Sequence, residues 1–156
     1  MPLAADVRLR RATPADVEAA AAIIGSALAA YGLPFEPGGR DADVALFGSR
    51  SEHDDFVAEH EGRPVGVASV GPHGDEGVAW ISKVFVAKES RRAGIGRALL
   101  AATHDAARSR GYLRVGLRTR LVFREAIALY ESEGYSPLAR HPAQLESGEV
   151  VYFRSL

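Results

Sequence analysis

Apolar and polar positions alternate along several short segments of this chain, with the period of a β-strand. Val7 to Arg10 alternate apolar and charged side chains, which is typical of a half-buried strand. Further strands are predicted at 56–59, 65–70, 78–86, 113–117 and 150–153. Between the first two of these, Glu61 to Pro64 predict a turn, so that the two strands form a hairpin.

In three other segments the apolar residues recur at helical spacing. Thr13 and Pro14 predict a helix start, and the apolar face that follows predicts a helix ending near Gly32. A second helix is predicted over about 94–110 and a third over 124–133.

The order of these elements predicts the class of fold. Residues 32–54 carry several prolines and glycines and predict a loop with one short helix. The resulting order is β-α-(α)-β-β-β-α-β-α-β, without a linker or a repeat. It predicts one α/β (α+β) domain with a mixed, mostly antiparallel sheet flanked by helices.

Composition narrows the classes of function. The chain has 156 residues, 47% hydrophobic and 25% charged, as in an ordinary globular domain. Its net charge of -1 argues against a nucleic-acid partner, because duplex-binding domains are usually strongly basic. The absence of cysteine excludes disulfides, thiolate metal sites and a cysteine nucleophile. No signal peptide or membrane-spanning run is found, and we expect a soluble cytoplasmic protein without a membrane partner.

The segment from Val84 to Leu100 carries the strongest chemical signal. A predicted strand leads through a basic loop into a helix that starts at Gly94 and Gly96. Free N–H groups and the helix dipole make such a start suitable for binding phosphate. Leu99 stands where a dinucleotide-binding fingerprint needs a third glycine, and the chain has no Gly-Lys-Ser/Thr of a P-loop. The other interpretation of a bare Gly-x-Gly is a helix that starts there for structural reasons alone.

Two blocks of the chain resemble those of a known family. Arg91-x-x-Gly94-x-Gly96, between Val84-Phe85-Val86 and Arg97-Ala98-Leu99-Leu100, looks like the acetyl-CoA signature of the GCN5-related N-acetyltransferases (GNAT). Glu125 to Tyr135 are similar to that family's late helix and following strand, and Val7 to Asp16 to its first strand and helix. The resemblance implies a single GNAT-like acyl-CoA N-acyltransferase domain over residues 7–156, with acetyl-CoA as cosubstrate. We expect no metal, because the five histidines show no metal-ligand spacing.

The resemblance also implies roles for individual residues. The main chain of Val84, Phe85 and Val86 would hold the pantetheine arm, and the N–H of Val86 or a neighbour would polarise the thioester carbonyl. The pyrophosphate would bind a turn made of Arg91, Arg92, Ala93, Gly94, Ile95, Gly96 and Arg97. Tyr130 would be the general acid that protonates the CoA thiolate, since a phenol stays protonated at neutral pH. The alternative for Tyr130 is a structural tyrosine on the buried face of its helix.

The chain departs from the family's pattern in three places. Phe123 stands where many relatives have Asn, Lys88 where they have Pro, and Arg92-Ala93 where they have Gly-Lys. The first departure puts one cofactor contact in doubt, and the third changes where the charge lies while keeping the number of amides.

The general base and the acceptor are not decided by the sequence. Candidate bases are Glu36, His53, His73, Asp75, Glu76, Glu89 and His141, and a water chain to bulk solvent would serve as well. In the family, the segment here formed by Tyr31 to Glu36 selects the acceptor, and its composition would suit a small cationic amine; alternatively these residues cap the core. Arg118 and Arg120 either bind a carboxylate or face solvent.

We therefore expect an acetyl-CoA-dependent N-acetyltransferase, monomeric or homodimeric, that acts on a primary amine of a small molecule. The amine would attack the thioester directly in a ternary complex. A protein lysine or N-terminal amine is the alternative acceptor. Two interpretations from other classes are a non-catalytic acyl-CoA-binding regulatory domain and a phosphate-binding domain without thioester chemistry.

Overall fold

The alternating segments form the strands of one mixed sheet in the computed structural model, which describes residues 3–74, 76–138 and 148–156. The strands are β1 (Val7–Arg11), β2 (Asp54–His60), β3 (Arg63–Pro72), β4 (Val78–Val86), β5 (Arg114–Arg120), β6 (Ser136–Pro137) and β7 (Glu149–Ser155). Their order across the sheet is β1-β2-β3-β4-β5-β7-β6. Neighbouring strands are antiparallel except β4 and β5, which confirms the predicted mixed, mostly antiparallel sheet.

The segments with helical spacing form helices close to their predicted bounds. The α-helices are α1 (Val17–Ala29), α2 (Ile95–Ser109) and α3 (Arg124–Ser132), and short 3-10 helices lie at Pro14–Asp16, Ala42–Leu46 and Lys88–Ser90. α1 ends before Gly32 because a turn follows the helix, and the φ angle of Gly32 in that turn is 69°. The short helix predicted within 32–54 is confirmed by the 3-10 helix Ala42–Leu46.

The sheet differs from the sequence prediction in the length of its strands and at one edge. β2, β3, β5 and β7 are longer than predicted, with β5 reaching Arg120 instead of ending at Leu117. The short edge strand β6 has no signal in the hydrophobic pattern and is implied only by the resemblance, as the strand after the late helix. Ser136 and Pro137 are exposed, so β6 has no alternation between apolar and polar positions that a pattern could reveal.

Helices cover both faces of the sheet and create two hydrophobic clusters. On the α2 face, the cluster joins α2 and α3 to buried strand residues that include Ile81, Val115 and Leu117. On the α1 face, the cluster joins α1 to Phe47, Val57 and Val67. No described helix has the length and hydrophobicity that a bilayer span requires.

The sheet opens between its two parallel strands. The ladder pairs Val78–Ile81 of β4 with Arg114–Leu117 of β5 and ends there, although both strands continue. β4 and β5 therefore diverge, and the main-chain groups along the inner edges of their last residues have no partner strand.

Candidate active site

A cavity of about 560 Å³ occupies the opening between β4 and β5. Its walls come from α1, the loop and 3-10 helix before β2, both diverging strands, the turn before α2, and α3. Every predicted cofactor-binding residue except Ala93 lines this cavity, and so does Tyr130. Ala93 packs against the cluster on the α2 face instead, and its carbonyl accepts a hydrogen bond from the N–H of Ala4 at 3.2 Å.

β4 carries a bulge where it borders the cavity. Ser69 of β3 lies opposite Ser82 and Val67 opposite Phe85, so β4 has one residue more than β3 in this stretch. Lys83 lies within that stretch and has a φ of 58°, which is uncommon for a residue with a side chain. Because of the extra residue, Val84 packs against the α2 face, as Ile81 does, and Phe85 packs against the α1 face.

The bulge leaves main-chain donors of β4 directed at the opening. The N–H of Ala87 donates to the carbonyl of Val65 at 2.7 Å, on the side of β3. N–H groups of alternate strand residues point to the same edge, so those of Val84 and Val86 point to the opposite edge, where β5 has diverged. This part of β4 can therefore bind an extended ligand by strand-like hydrogen bonds.

The turn before α2 gives the cavity its phosphate-binding geometry. Arg92 and Gly94 have φ values of 65° and 78°, and α2 begins at Ile95 directly after them. Gly96, in the first turn of α2, lies close to α3, since a Cβ added there would approach Leu129 Cδ2 to 3.2 Å. The free N–H groups of this helix start border the cavity and fit an anionic phosphate.

The three arginines of this turn have different surroundings. The Nε of Arg91 donates to the carbonyl of Val86 at 3.4 Å, which ties the turn to the end of β4. Arg97 forms an ion pair with Glu133 and donates to Ser132 Oγ at 3.3 Å, so part of its charge is compensated by α3 and the residue after it. The predicted basic cluster is therefore weaker than the sequence implies.

Tyr130 of α3 lies at the wall of the cavity and is 5% exposed. Burial raises the pKa of its phenol, because the charged phenolate is disfavoured away from water. Tyr130 therefore stays protonated across the neutral and moderately alkaline range, as a proton donor must.

A buried polar network lies behind Tyr130. The ring of Tyr130 is 5.8 Å from that of Tyr135, whose hydroxyl is 2.7 Å from His104 Nε2. Arg154 Nη1 donates to His104 Nδ1 at 2.8 Å. Burial and the charge of Arg154 lower the pKa of His104 to about 4, so the imidazole is neutral at pH 7.

At the end of the cavity near α1 the walls carry opposite charges. Lys83 Nζ, with a side chain only 7% exposed, lies 2.6 Å from Asp43 Oδ2. Glu149 pairs with Arg40 at 3.0 Å and lies 3.8 Å from Arg118. No pattern in the sequence singles out Arg40, Asp43, Lys83 or Glu149; the one signal is a lysine inside a mostly apolar strand.

None of the described candidate bases lines the cavity. Glu36, Glu76 and Glu89 are exposed, and His73 stacks on Trp80 with ring centroids 4.4 Å apart. Burial lowers the pKa of His53. Asp75 and His141 lie outside the described residues. The identity of the base therefore stays a prediction, with a water chain still open.

The segment from Tyr31 to Glu36 is expected either to select the acceptor or to cap the core, and its residues divide between the two places. Tyr31 lines the cavity and contacts Phe123 edge to face, with ring centroids 4.9 Å apart. Leu33 and Phe35 instead pack against the cluster on the α1 face. Phe123, the residue that departs from the family's pattern, thus forms part of an aromatic wall.

One group of possible metal ligands occurs among the described residues, and it lies away from the cavity. The ligand atoms of Asp6, His60 and Glu61 are within 4.8 Å of one another at the turn between β2 and β3. His60 Nε2 and Asp6 Oδ2 already form a pair at 2.5 Å. The expected absence of a metal stays a prediction.

Comparison with known proteins identifies the family. The model of the acetyltransferase (GNAT) domain matches residues 52–137. The uncharacterised N-acetyltransferase YjgM of Escherichia coli K12 is 31% identical over 134 residues, which are 81% of this chain and 80% of that protein. A GNAT-family acetyltransferase of Staphylococcus aureus Mu50 superimposes with a TM-score of 0.82 at 19% identity, over 96% of this chain and 99% of the other. The structure of yncA from Salmonella typhimurium, solved with acetyl-CoA, superimposes with a TM-score of 0.79 at 22% identity, over 97% of this chain and 94% of the other.

The chain belongs to the GNAT acetyltransferase family. It is an acetyl-CoA-dependent N-acetyltransferase, as the resemblance of its two blocks predicted. The family model lies within the predicted domain 7–156, whose bounds remain a prediction.

Proposed function

We propose that this enzyme acetylates a primary amine of a small molecule by direct attack of the amine on acetyl-CoA in a ternary complex. One observation carries the proposal: a single cavity joins the turn before α2, the free edge of β4 and Tyr130 to a charged region beside α1. Cofactor and acceptor can therefore be bound at the same time, and the acetyl group need not pass through the protein. The absence of cysteine agrees with this, because no cysteinyl intermediate is possible.

The proposed cofactor site uses the main chain more than side chains. The N–H groups at the start of α2, from Gly94 to Arg97, would bind the pyrophosphate, and Val84 and Val86 would bind the pantetheine arm. When bound, acetyl-CoA supplies the acetyl group as an activated thioester. The Val86 N–H, or that of a neighbour, would stabilise negative charge on the thioester oxygen, because it points into the opening between the strands.

The proposed proton donor is Tyr130. The amine nitrogen forms a bond to the acetyl carbon, the carbon–sulfur bond breaks, and the sulfur takes the proton of the Tyr130 hydroxyl. Burial supports this role, because the raised pKa keeps the phenol protonated until the thiolate forms. The proton that the amine loses would pass to the unidentified base or to a water chain, and the Tyr130 phenolate would regain a proton from the same source.

The residues that border the α1 end of the cavity favour a small acceptor. Tyr31, Phe123 and the 3-10 helix Ala42–Leu46 border it, together with several charged side chains. A protein lysine or N-terminal amine is the alternative acceptor. A non-catalytic acyl-CoA-binding domain is the alternative from another class, and the buried Tyr130 at the cavity wall argues against it.

Replacement of Tyr130 tests the mechanism. We expect Tyr130→Phe to lower kcat by roughly 100-fold or more, the usual contribution of a positioned proton donor, while the Kd for CoA stays unchanged. Release of CoA is measured with a thiol reagent, which detects only the product because the enzyme contains no cysteine. The matched control is Tyr135→Phe, since this neighbouring buried tyrosine does not line the cavity. Unchanged turnover in Tyr130→Phe would remove Tyr130 from the mechanism.

A further inference from the structure

The α1 end of the cavity contains an arginine whose charge is not compensated by the described part of the chain. We propose that the acceptor amine also carries a carboxylate and that the guanidinium of Arg120 binds it. This inference rests on the proposed function, because it concerns the acceptor of the same reaction.

Strand alternation places Arg120 on the acceptor side of the sheet. Val115 and Leu117 of β5 pack against the cluster on the α2 face. Side chains alternate along a strand, so Arg118 and Arg120 lie on the opposite face, together with Lys83 and its partner Asp43. The arginines of the cofactor turn, in contrast, precede and begin α2. A cofactor bound at the start of α2 and an acceptor bound beside Arg120 would thus approach the opening from opposite faces.

Three other cations at this end of the cavity have an acidic partner, whereas Arg120 has none among the described residues. Lys83 and Asp43 neutralise each other. Glu149 is shared between Arg40 and Arg118, so these three residues keep one net positive charge. Within residues 3–74, 76–138 and 148–156, the Arg120 guanidinium has no ion-pair or hydrogen-bond partner, although the residue is half-buried and lines the cavity.

A carboxylate is the group that suits this arrangement. A guanidinium offers a planar fork of donors that matches the two oxygens of a carboxylate, and partial burial strengthens their hydrogen bonds. The partnerless guanidinium of Arg120 would attract an anion and disfavour an acceptor with only an amine. A carboxylate held at the end of β5 would leave the amine free to reach the opening beside Val84 and Val86.

Matched pairs of acceptors test this inference in the full-length enzyme at saturating acetyl-CoA. Leucine and leucinamide, phenylalanine and phenylalaninamide, and β-alanine and its amide differ in the carboxylate and in the basicity of the amine, so the ratio of acid to amide is compared between variants. CoA release is followed with a thiol reagent. We expect wild-type kcat/KM to be at least tenfold higher for the acids, the loss expected when a charged hydrogen bond is missing. Arg120→Gln should reduce the ratio of acid to amide by roughly tenfold or more, and Arg120→Lys by less.

The variant comparison separates recognition from general damage. Each pair is compared within one protein and then between proteins, so differences in the intrinsic reactivity of the amines cancel. Arg114→Gln is the matched control, because Arg114 lies on the same strand and face but stacks over Phe153 outside the cavity. It should leave the ratio unchanged. The Kd for CoA should also be unchanged in Arg120→Gln.

Several results would overturn the inference without touching the proposed function. These are no transfer to any of the acids while the amides are acetylated, an unchanged ratio of acid to amide in Arg120→Gln, or weaker CoA binding in that variant. If Arg120→Gln fails to fold, the ratio of acid to amide in Arg120→Lys is compared with that of wild type and tests the same contact. Absence of transfer to every amine, with or without a carboxylate, would instead contradict the small-molecule acceptor itself.

Discussion

Single residues set the backbone path where the loop before β2 meets the start of the first helical segment. Gly48 has a φ of 80°, and a Cβ added there would lie 2.4 Å from the carbonyl carbon and oxygen of Thr13. Its N–H donates to Asp55 Oδ2 at 2.8 Å, at the start of β2. Thr13 is itself held by Asp16, whose carboxylate accepts a hydrogen bond from the Thr13 N–H at 2.8 Å. The close approach of two backbone segments therefore requires glycine at this position.

Replacement of Gly48 should be costly for two separable reasons. We expect Gly48→Ala to lower the free energy of unfolding by more than the roughly 1–3 kcal/mol of a strained backbone conformation, because the Cβ also meets the backbone of Thr13. Gly62→Ala is the control, since Gly62 has a φ of 77° but nothing within 4 Å of the added Cβ. Urea unfolding of both variants measures the difference. Equal losses would show that the contact with Thr13 contributes nothing.

Among the elements, α2 is joined to β2 by a buried carboxylate. Arg110, directly after α2, donates through Nε to Asp54 Oδ2 at 2.6 Å, and Arg11 of β1 donates to Asp54 Oδ1 at 2.5 Å. Burial alone would raise the pKa of Asp54, but the hydrogen bonds from both arginines outweigh it and hold the pKa below its ordinary value. The folded state is thus more stable when Asp54 is ionised.

This arrangement gives a pH dependence of definite sign. A carboxyl group whose pKa is lower in the folded state stabilises the protein above its ordinary pKa of about 4, and this stability is lost as the pH falls through the lower, folded value. We expect Arg110→Gln to lower the free energy of unfolding by about 1–2 kcal/mol at pH 7 and by much less once Asp54 is protonated. Urea unfolding between pH 7 and the acid range measures this.

Arg108→Gln provides the control for that series. Arg108 lies in the last turn of the same helix and pairs at 3.1 Å with Asp105, which is 79% exposed. Exposed pairs contribute little, so this variant should differ from wild type by less than about 0.5 kcal/mol at either pH. A loss in Arg110→Gln that is independent of pH would contradict the role of the Asp54 charge.

At the scale of the whole molecule, the cofactor should stabilise the domain because its site draws on elements from both sides of the opening. At a ligand concentration of 100 Kd, binding to the folded state alone adds ~2.7 kcal/mol. For a domain of this size we expect acetyl-CoA to raise Tm by roughly 5–10 °C. ATP, with phosphates but no pantetheine arm, is the comparison in the same thermal melt. Stabilisation by ATP and not by CoA would support phosphate binding without thioester chemistry.

The residues that could be recognised from the sequence are those whose role depends on local order. Alternation predicted β4 with its observed bounds, and the glycines at 94 and 96 predicted the turn and the start of α2. The resemblance of the second block to the family singled out Tyr130, which lies at the cavity wall. Each of these signals lies within a few residues of chain, where backbone conformation depends mainly on neighbouring residues.

The acceptor side of the cavity is formed by residues that lie far apart in the sequence. Lys83 and Asp43, or Arg40 and Glu149, are far apart in the chain and meet only because α1 and its following loop fold over one face of the sheet. Likewise, no local pattern reveals that the β4–β5 ladder ends at Ile81 and Leu117 or that β4 carries a bulge at Lys83. Hydrophobic period and glycine placement are local properties, so the chain alone determines the elements and the start of the cofactor turn, and the family followed from the resemblance of its two blocks. The cavity, the pairing of its charges and the lack of a described partner for Arg120 depend on the packing of distant segments, so only the folded molecule decides them.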